Sequence, residues 1–145
     1  MKSLMTILSE NAKTISQIGI VSELSGNEFA KAEKSLVEQV SEYFNSIGNN
    51  ATNPIIGGVL LNTRGVKDSI AHGIGRKKAV AFAAVPAVIE NGKIIDIQSD
   101  WKSRGYETFV VAARITINKE IYSMGVVITK NKATQKYYLH EVRCR

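Results

Sequence analysis

The sequence predicts an α+β fold in which N-terminal helices pack on a four-stranded antiparallel β-meander, and three observations lead there. Apolar residues recur at three- and four-residue steps as far as Gly92. Beyond Gly92 the period becomes extended, with β-branched and aromatic enrichment. The connections between the extended segments are short and polar, so consecutive strands should be antiparallel neighbours.

Residues 1–18 mix polar and apolar side chains, with Met5, Ile7 and Leu8 at loose helical spacing and no clear cap, and read as an N-terminal extension, either a frayed helix or the remnant of a linker. Residues 19–145 read as a single domain, with a helical part over 25–92 and a sheet over 93–143. Ser25 and Glu28 have the spacing of a capping box, in which each side chain satisfies a free amide at a helix start. A helix is therefore expected from there through Phe29, Ala32, Leu36, Val40, Phe44 and Ile47, ended by a left-handed Gly48. Asn49 to Gly58 has the composition of a loop, Val59 to Leu61 is a short extended run, and Asn62 or Thr63 should cap a second helix carrying Val66 and Ile70. Gly73 and Gly75 break that helix. A third resumes at Lys77, is kinked or restarted by Pro86 and stops at Gly92. Strands are expected over Lys93 to Gln98, Tyr106 to Ile117, Glu120 to Thr129 and Tyr137 to Val142.

Composition narrows the function classes. A chain of 145 residues with 44% apolar and 22% charged side chains can bury one core. No apolar run reaches the ~20 residues of a membrane helix, and Met1 is not followed by the pattern of a signal peptide. Cys144 is the single cysteine, which excludes an internal disulfide and a cysteine zinc site. Two histidines 68 residues apart offer no metal-ligand spacing, and neither a dinucleotide fingerprint nor a P-loop is present, so neither metal nor cofactor is expected.

The charge is distributed unequally. Residues 1–63 hold 4 Lys against 6 Glu, net −2, and residues 64–145 hold 15 Lys/Arg against 7 Asp/Glu, net +8, which together give +6. Clustered cations draw phosphate by counterion release, so a polyanion is the expected partner of the C-terminal half; the bland reading is a solvated surface.

General acid and base chemistry supported by cations is what remains. His72 is the first candidate, because an imidazole can take and give a proton near neutrality and Gly73 beside it leaves room for a ligand. Arg76 and Lys77 follow closely enough in sequence to hold a phosphate. The competing reading makes His72 a partner of a helix C-terminal dipole. Tyr138 and His140 alternate onto one face of the last strand, opposite Leu139, with Thr129 nearby. That face suits a phosphate and a stacked base, or is ordinary sheet surface. Trp101, Lys102, Ser103, Arg104, Gly105 and Tyr106 form an aromatic, basic loop that could grip a sugar-phosphate chain, unless Trp101 plugs the edge of the core.

The run GVKDSIAHGIGRKKAVAFAAVPAVIENGKIID, then WKSRGYETFVVAA and finally YYLHEV, resembles the nuclease-like domains of phage polyvalent proteins and bacterial polymorphic toxins, including contact-dependent-inhibition toxin C-terminal domains. That group looks like part of the superfamily that joins barnase, EndoU, colicin nucleases and RelE. The likeness spans roughly Ser25 to Val142, and the ordered blocks D-S-I-A-H-G, W-K-x-R-G-Y and Y-L-H-E-V carry it. It implies helices on a four-stranded antiparallel sheet and metal-independent cleavage of RNA, transfer RNA being one candidate target, by the substrate's own 2′-OH. On that resemblance His72 is base or acid, Lys67 and Ser69 are its helix neighbours, Arg76 or Arg104 is the phosphate clamp, and Tyr138 or His140 is the second proton carrier. It also implies an acidic immunity or antitoxin partner and action in a bacterial cytoplasm after delivery as the C-terminal part of a larger secreted or phage-encoded protein. The alternative from another class is a non-catalytic RNA- or protein-binding module of a large phage or mobile-element protein.

Overall fold

In the computed structural model, which describes residues 2–99 and 106–145, a mixed seven-stranded sheet lies between two sets of helices. The elements run α1 (Leu4–Glu10), α2 (Ala12–Ser16), β1 (Ile20–Leu24), α3 (Leu36–Ser46), β2 (Asn50–Asn53), β3 (Gly57–Leu60), α4 (Thr63–Ala71), a 3-10 helix (Lys78–Ala84), α5 (Val85–Asn91), β4 (Lys93–Gln98), β5 (Glu107–Ile117), β6 (Glu120–Lys130) and β7 (Tyr137–Cys144).

The expected four-stranded meander is corrected to this larger sheet. Its four segments do form, each antiparallel to the next, from β4 through β7. Three strands from the N-terminal half join them. β1 lies parallel to the C-terminal end of β5, end to end with β4, while β3 lies parallel to β7 and carries β2 on its outer edge. The Asn49 to Gly58 stretch is thus a hairpin, closed where the Asn53 carboxamide oxygen accepts the Ile55 and Ile56 amides at 2.9 Å each. Asn118 and Lys119 are both left-handed, at φ 49° and 69°, which gives the β5–β6 hairpin its two-residue turn.

Helix starts follow capping chemistry, though not always at the expected residue. Asn62 caps α4 through its carboxamide oxygen. The cap of α3 is Ser35 with Glu38, not Ser25 with Glu28. The earlier pair closes an isolated turn instead, in which the Glu28 carboxylate accepts the Ser25 and Gly26 amides, because Gly26 at φ 101° cannot enter a helix. Pro86 opens α5 in its first turn. Gly92 stops it against the sheet, since a Cβ there would sit 2.8 Å from the Ala112 carbonyl oxygen.

The main core lies between one sheet face and α3, α4, α5 and the 3-10 helix, and includes Phe44, Val66, Phe82, Ile89, Val111, Ile115, Val126, Leu139 and Val142. The alternate residues Val110, Ala112 and Val127 point the other way, where Leu4, Ile7, Leu8 and Ile15 cover them. The segment read as an extension therefore supplies the two helices on the second face. Gly125 admits that packing, because a Cβ there would lie 2.8 Å from the Leu8 side chain.

Candidate active site at the α4–β7 seam

β3 pairs with β7 only at Val59–Tyr137 and Leu60–Tyr138, so the rest of that edge of β7 is open to another partner. The chain leaving β3 turns directly into α4, which occupies it. A helix can lie against a strand edge only if small or polar groups meet the strand backbone, and α4 has both. Gly65 sits against Leu139, where a Cβ would be 2.9 Å from the carbonyl oxygen. One turn on, the fully buried Ser69 hydroxyl donates to Gly65 O at 2.7 Å and accepts the Val142 amide at 2.8 Å. Ser69, expected to touch substrate, is a structural tether with both its hydrogen-bonding roles filled.

Residues 64, 68 and 72 are spaced by four, so Arg64, Asp68 and His72 share one side of α4. β7 is bulged between its pairs Val127–Glu141 and Ile128–Leu139, which leaves His140 as the extra residue. The bulge shifts the alternation: Leu139 on one side of it and Val142 and Cys144 on the other all reach the same core. It also lets adjacent residues of β7 both reach α4. His140 Nδ1 stands 3.9 Å from Asp68 Oδ2, and Glu141 Oε1 lies 3.2 Å from His72 Nδ1. Each element thus contributes one histidine and one carboxylate, and they pair crosswise. The Glu141 carboxylate is nearly buried, with its side chain 6% exposed against 42% for His72, so a buried acceptor holds a solvent-facing ring. A carboxylate on one ring nitrogen sets the tautomer and leaves the other nitrogen for proton exchange. Arg143 donates to the His72 carbonyl at the end of α4, where a cation complements the helix dipole.

Beside this seam is a cleft of about 280 Å³ lined by Asn62, Arg64, Asp68, Tyr106, Thr129, Asn131, Tyr138, Leu139 and His140. Thr129 and Tyr138 are register partners, so the pleat sets them on one face. Of the residues expected from sequence, the cleft gathers His140, Tyr138 and Thr129, and His72 lies one helical turn beyond Asp68. It does not gather the others. Lys67 faces α3, in a groove with Val37, Glu38 and Glu42. Arg76 lines a separate groove with Phe29, Lys31 and Leu36, and Lys77 pairs with Glu120 at 3.3 Å. The physical reason is that Gly73 and Gly75, left-handed at φ 81° and 82°, turn the chain away from α4 while Ile74 between them is buried. Trp101, Lys102 and Arg104 lie outside the described residues.

Sequence reasoning missed Asn62, Arg64, Asp68 and Asn131 as cleft residues and Glu141 as the partner of His72, whereas Tyr106 belongs to the aromatic, basic loop expected to grip a sugar-phosphate chain. Asp68 and Glu141 stood inside the quoted blocks, and a carboxylate four residues before one histidine and directly after the other was the available signal. Among the described residues, no group of three or more His, Cys, Asp or Glu side chains could hold a metal ion. No helix among them is long and apolar enough to cross a membrane.

Fold and seam define an α+β domain with a polar, histidine-bearing cleft at one sheet end. The chain belongs to the family described as large polyvalent protein-associated domain 3, which it matches over residues 31–138, a span that includes α3, α4, β5, β6 and the first two residues of β7, and ends before His140 and Glu141. No curated protein and no solved structure matches it.

Proposed function

We propose that this domain is a toxin-type, metal-independent endoribonuclease that cleaves RNA by attack of the substrate's 2′-OH. The observation that carries the reading is the crosswise pairing of His72 with Glu141 and of Asp68 with His140 beside a cleft that holds Arg64. Transphosphorylation needs a base for the 2′-OH proton, an acid for the departing 5′ oxygen and a cation for the charge that grows on the phosphate. Two imidazoles supply the first two and Arg64 the third. As the 2′ oxygen bonds to phosphorus, the P–O5′ bond breaks, one histidine takes the 2′ proton and the other protonates the leaving oxygen. The products are a 2′,3′-cyclic phosphate and a 5′-hydroxyl end. Tyr138, Tyr106 and Thr129 would hold the adjoining nucleoside. The net +8 of residues 64–145 draws the polyanion to this half of the chain.

In this reading the domain acts in a bacterial cytoplasm, is delivered within a larger secreted or phage-encoded protein, and is held in check by an acidic immunity or antitoxin protein. The test is incubation of the purified chain with total RNA, transfer RNA included, in EDTA, followed by mapping of the ends. Fragments ending in 2′,3′-cyclic phosphate, lost in His72→Ala and in His140→Ala, are the expected result. Intact RNA together with salt-sensitive RNA binding would overturn the enzyme in favour of a binding module.

A further inference from the structure

Two asparagines in the cleft have their amide oxygens already committed. Asn62 Oδ1 accepts the Gly65 amide at 3.0 Å, and Asn131 Oδ1 accepts the Ala133 and Thr134 amides at 2.9 and 3.1 Å. Only an oxygen can meet an N–H donor, so both carboxamides are fixed with their NH2 groups as the remaining function. Neither NH2 has a hydrogen-bond acceptor among the described residues, and both asparagines line the cleft. Arg64 beside them carries donors alone. Among the described residues the cleft's one carboxylate, Asp68, is paired with His140. Thr129 and the tyrosine hydroxyls can turn either way, so among the described residues the fixed amides set the hydrogen-bonding preference of the cleft. It is a donor-rich site and calls for an acceptor-rich ligand.

A space of about 280 Å³ between Tyr106 and Tyr138 suits one unpaired nucleotide and not a duplex. Its phosphate would satisfy Arg64 and Asn62, which share the start of α4, and this leaves Asn131, on the loop after β6, for the base. Uracil and guanine present a carbonyl oxygen where cytosine and adenine present an amino group, and an NH2 facing an NH2 is an unmade hydrogen bond on both sides. We infer that the cleft selects an unpaired nucleotide with a keto base, uracil or guanine, and that Asn131 is the specificity-determining residue that reads it. The inference rests on the ribonuclease reading for its ligand class, but it is tested by binding and not by turnover.

The experiment measures fluorescence anisotropy of the full chain with fluorescein-labelled 2′-O-methyl decauridine and 2′-O-methyl decacytidine, which lack the attacking hydroxyl and differ at the base edge. Decauridine should bind about tenfold more tightly, the discrimination expected of a base-edge contact. Asn131→Asp keeps the oxygen that closes the local turn and replaces the donor by an acceptor. It should weaken both affinities through its charge and invert their ratio. Equal affinities in the parental chain, an unchanged ratio in Asn131→Asp, or no binding of either oligomer each overturns the inference; the parental ratio alone decides it if the variant does not fold. Cleavage of total RNA without uridine preference in binding removes this inference and leaves the ribonuclease standing. Uridine preference without cleavage does the reverse.

Discussion

The α4–β7 seam and the Arg76–Lys78 stretch are separated by only a few residues at the end of α4, yet they are built on opposite principles. Along the seam, polar groups from two distant segments answer one another: Ser69 with the Val142 amide, Asp68 with His140, Glu141 with His72. In the basic stretch each cation goes its own way. Arg76 faces the groove at Phe29 and Lys31, Lys77 pairs with Glu120, and Lys78 donates to the Cys144 carbonyl while lying over the Tyr122 ring. The lesson is that neighbours in sequence form a site only where the backbone keeps them on one side. The two left-handed glycines between these regions ensure that it does not.

The contrast can be broken most directly through activity. His72→Ala and His140→Ala should each lower RNA cleavage at least about 100-fold, the scale of general acid–base catalysis, with cooperative thermal unfolding retained, though His72→Ala also lowers the midpoint because it leaves the nearly buried Glu141 without its partner. If either variant cleaves at the parental rate, the seam is scaffold and not active site.

Stability gives the next largest effect. Gly65→Ala places a methyl 2.9 Å from the Leu139 carbonyl, where the strand cannot retreat, and should cost about 3 kcal/mol in urea unfolding. Ser69→Ala strands a buried amide and should cost about 2 kcal/mol. Values for both near zero would mean that α4 does not hold the β7 edge.

Smaller again is the response at the end of β7. Burial pushes the Cys144 thiol from 9.0 up to about 12. A raised folded value leaves stability level below pH 9 and erodes it as pH climbs from 9 toward 12. At pH 8, alkylation by iodoacetamide should therefore track global unfolding measured in parallel; faster labelling would show a local opening of the strand end. The smallest effect is expected of the double substitution Arg76→Ala with Lys77→Ala. Exposed cations with surface pairing contribute little, so the urea-unfolding midpoint should not move, and cleavage should stay within about twofold. A loss matching that of His72→Ala would put Arg76 back at the phosphate.

Some elements were legible because their determinants are local. The β4 to β7 segments emerged nearly to the residue, and Asn62 as a cap of α4 needs only its neighbours. Ser25 and Glu28 show the limit of that logic: the same box recurs at Ser35 and Glu38, and the left-handed Gly26 decides between them. The helices on the second face had a signal that went unused. Residues 109–113 of β5 are apolar without interruption, and a strand written that way is buried on both faces. Val110 and Ala112 needed a cover, and Leu4, Ile7, Leu8 and Ile15 were the unassigned apolar residues.

By itself, the sequence determined an α+β domain with a basic C-terminal half, and it singled out the two blocks that carry the histidines. These are matters of period, composition and local capping, which neighbouring residues settle. Tertiary structure decided that the blocks meet, because α4 fills an edge of β7 that β3 leaves open and a one-residue bulge turns His140 and Glu141 to the same helix. It also separated Arg76 and Lys77 from them. Which strand ends early and where a ladder slips depend on contacts between segments far apart in the chain, and a period of two or 3.6 residues carries no record of them.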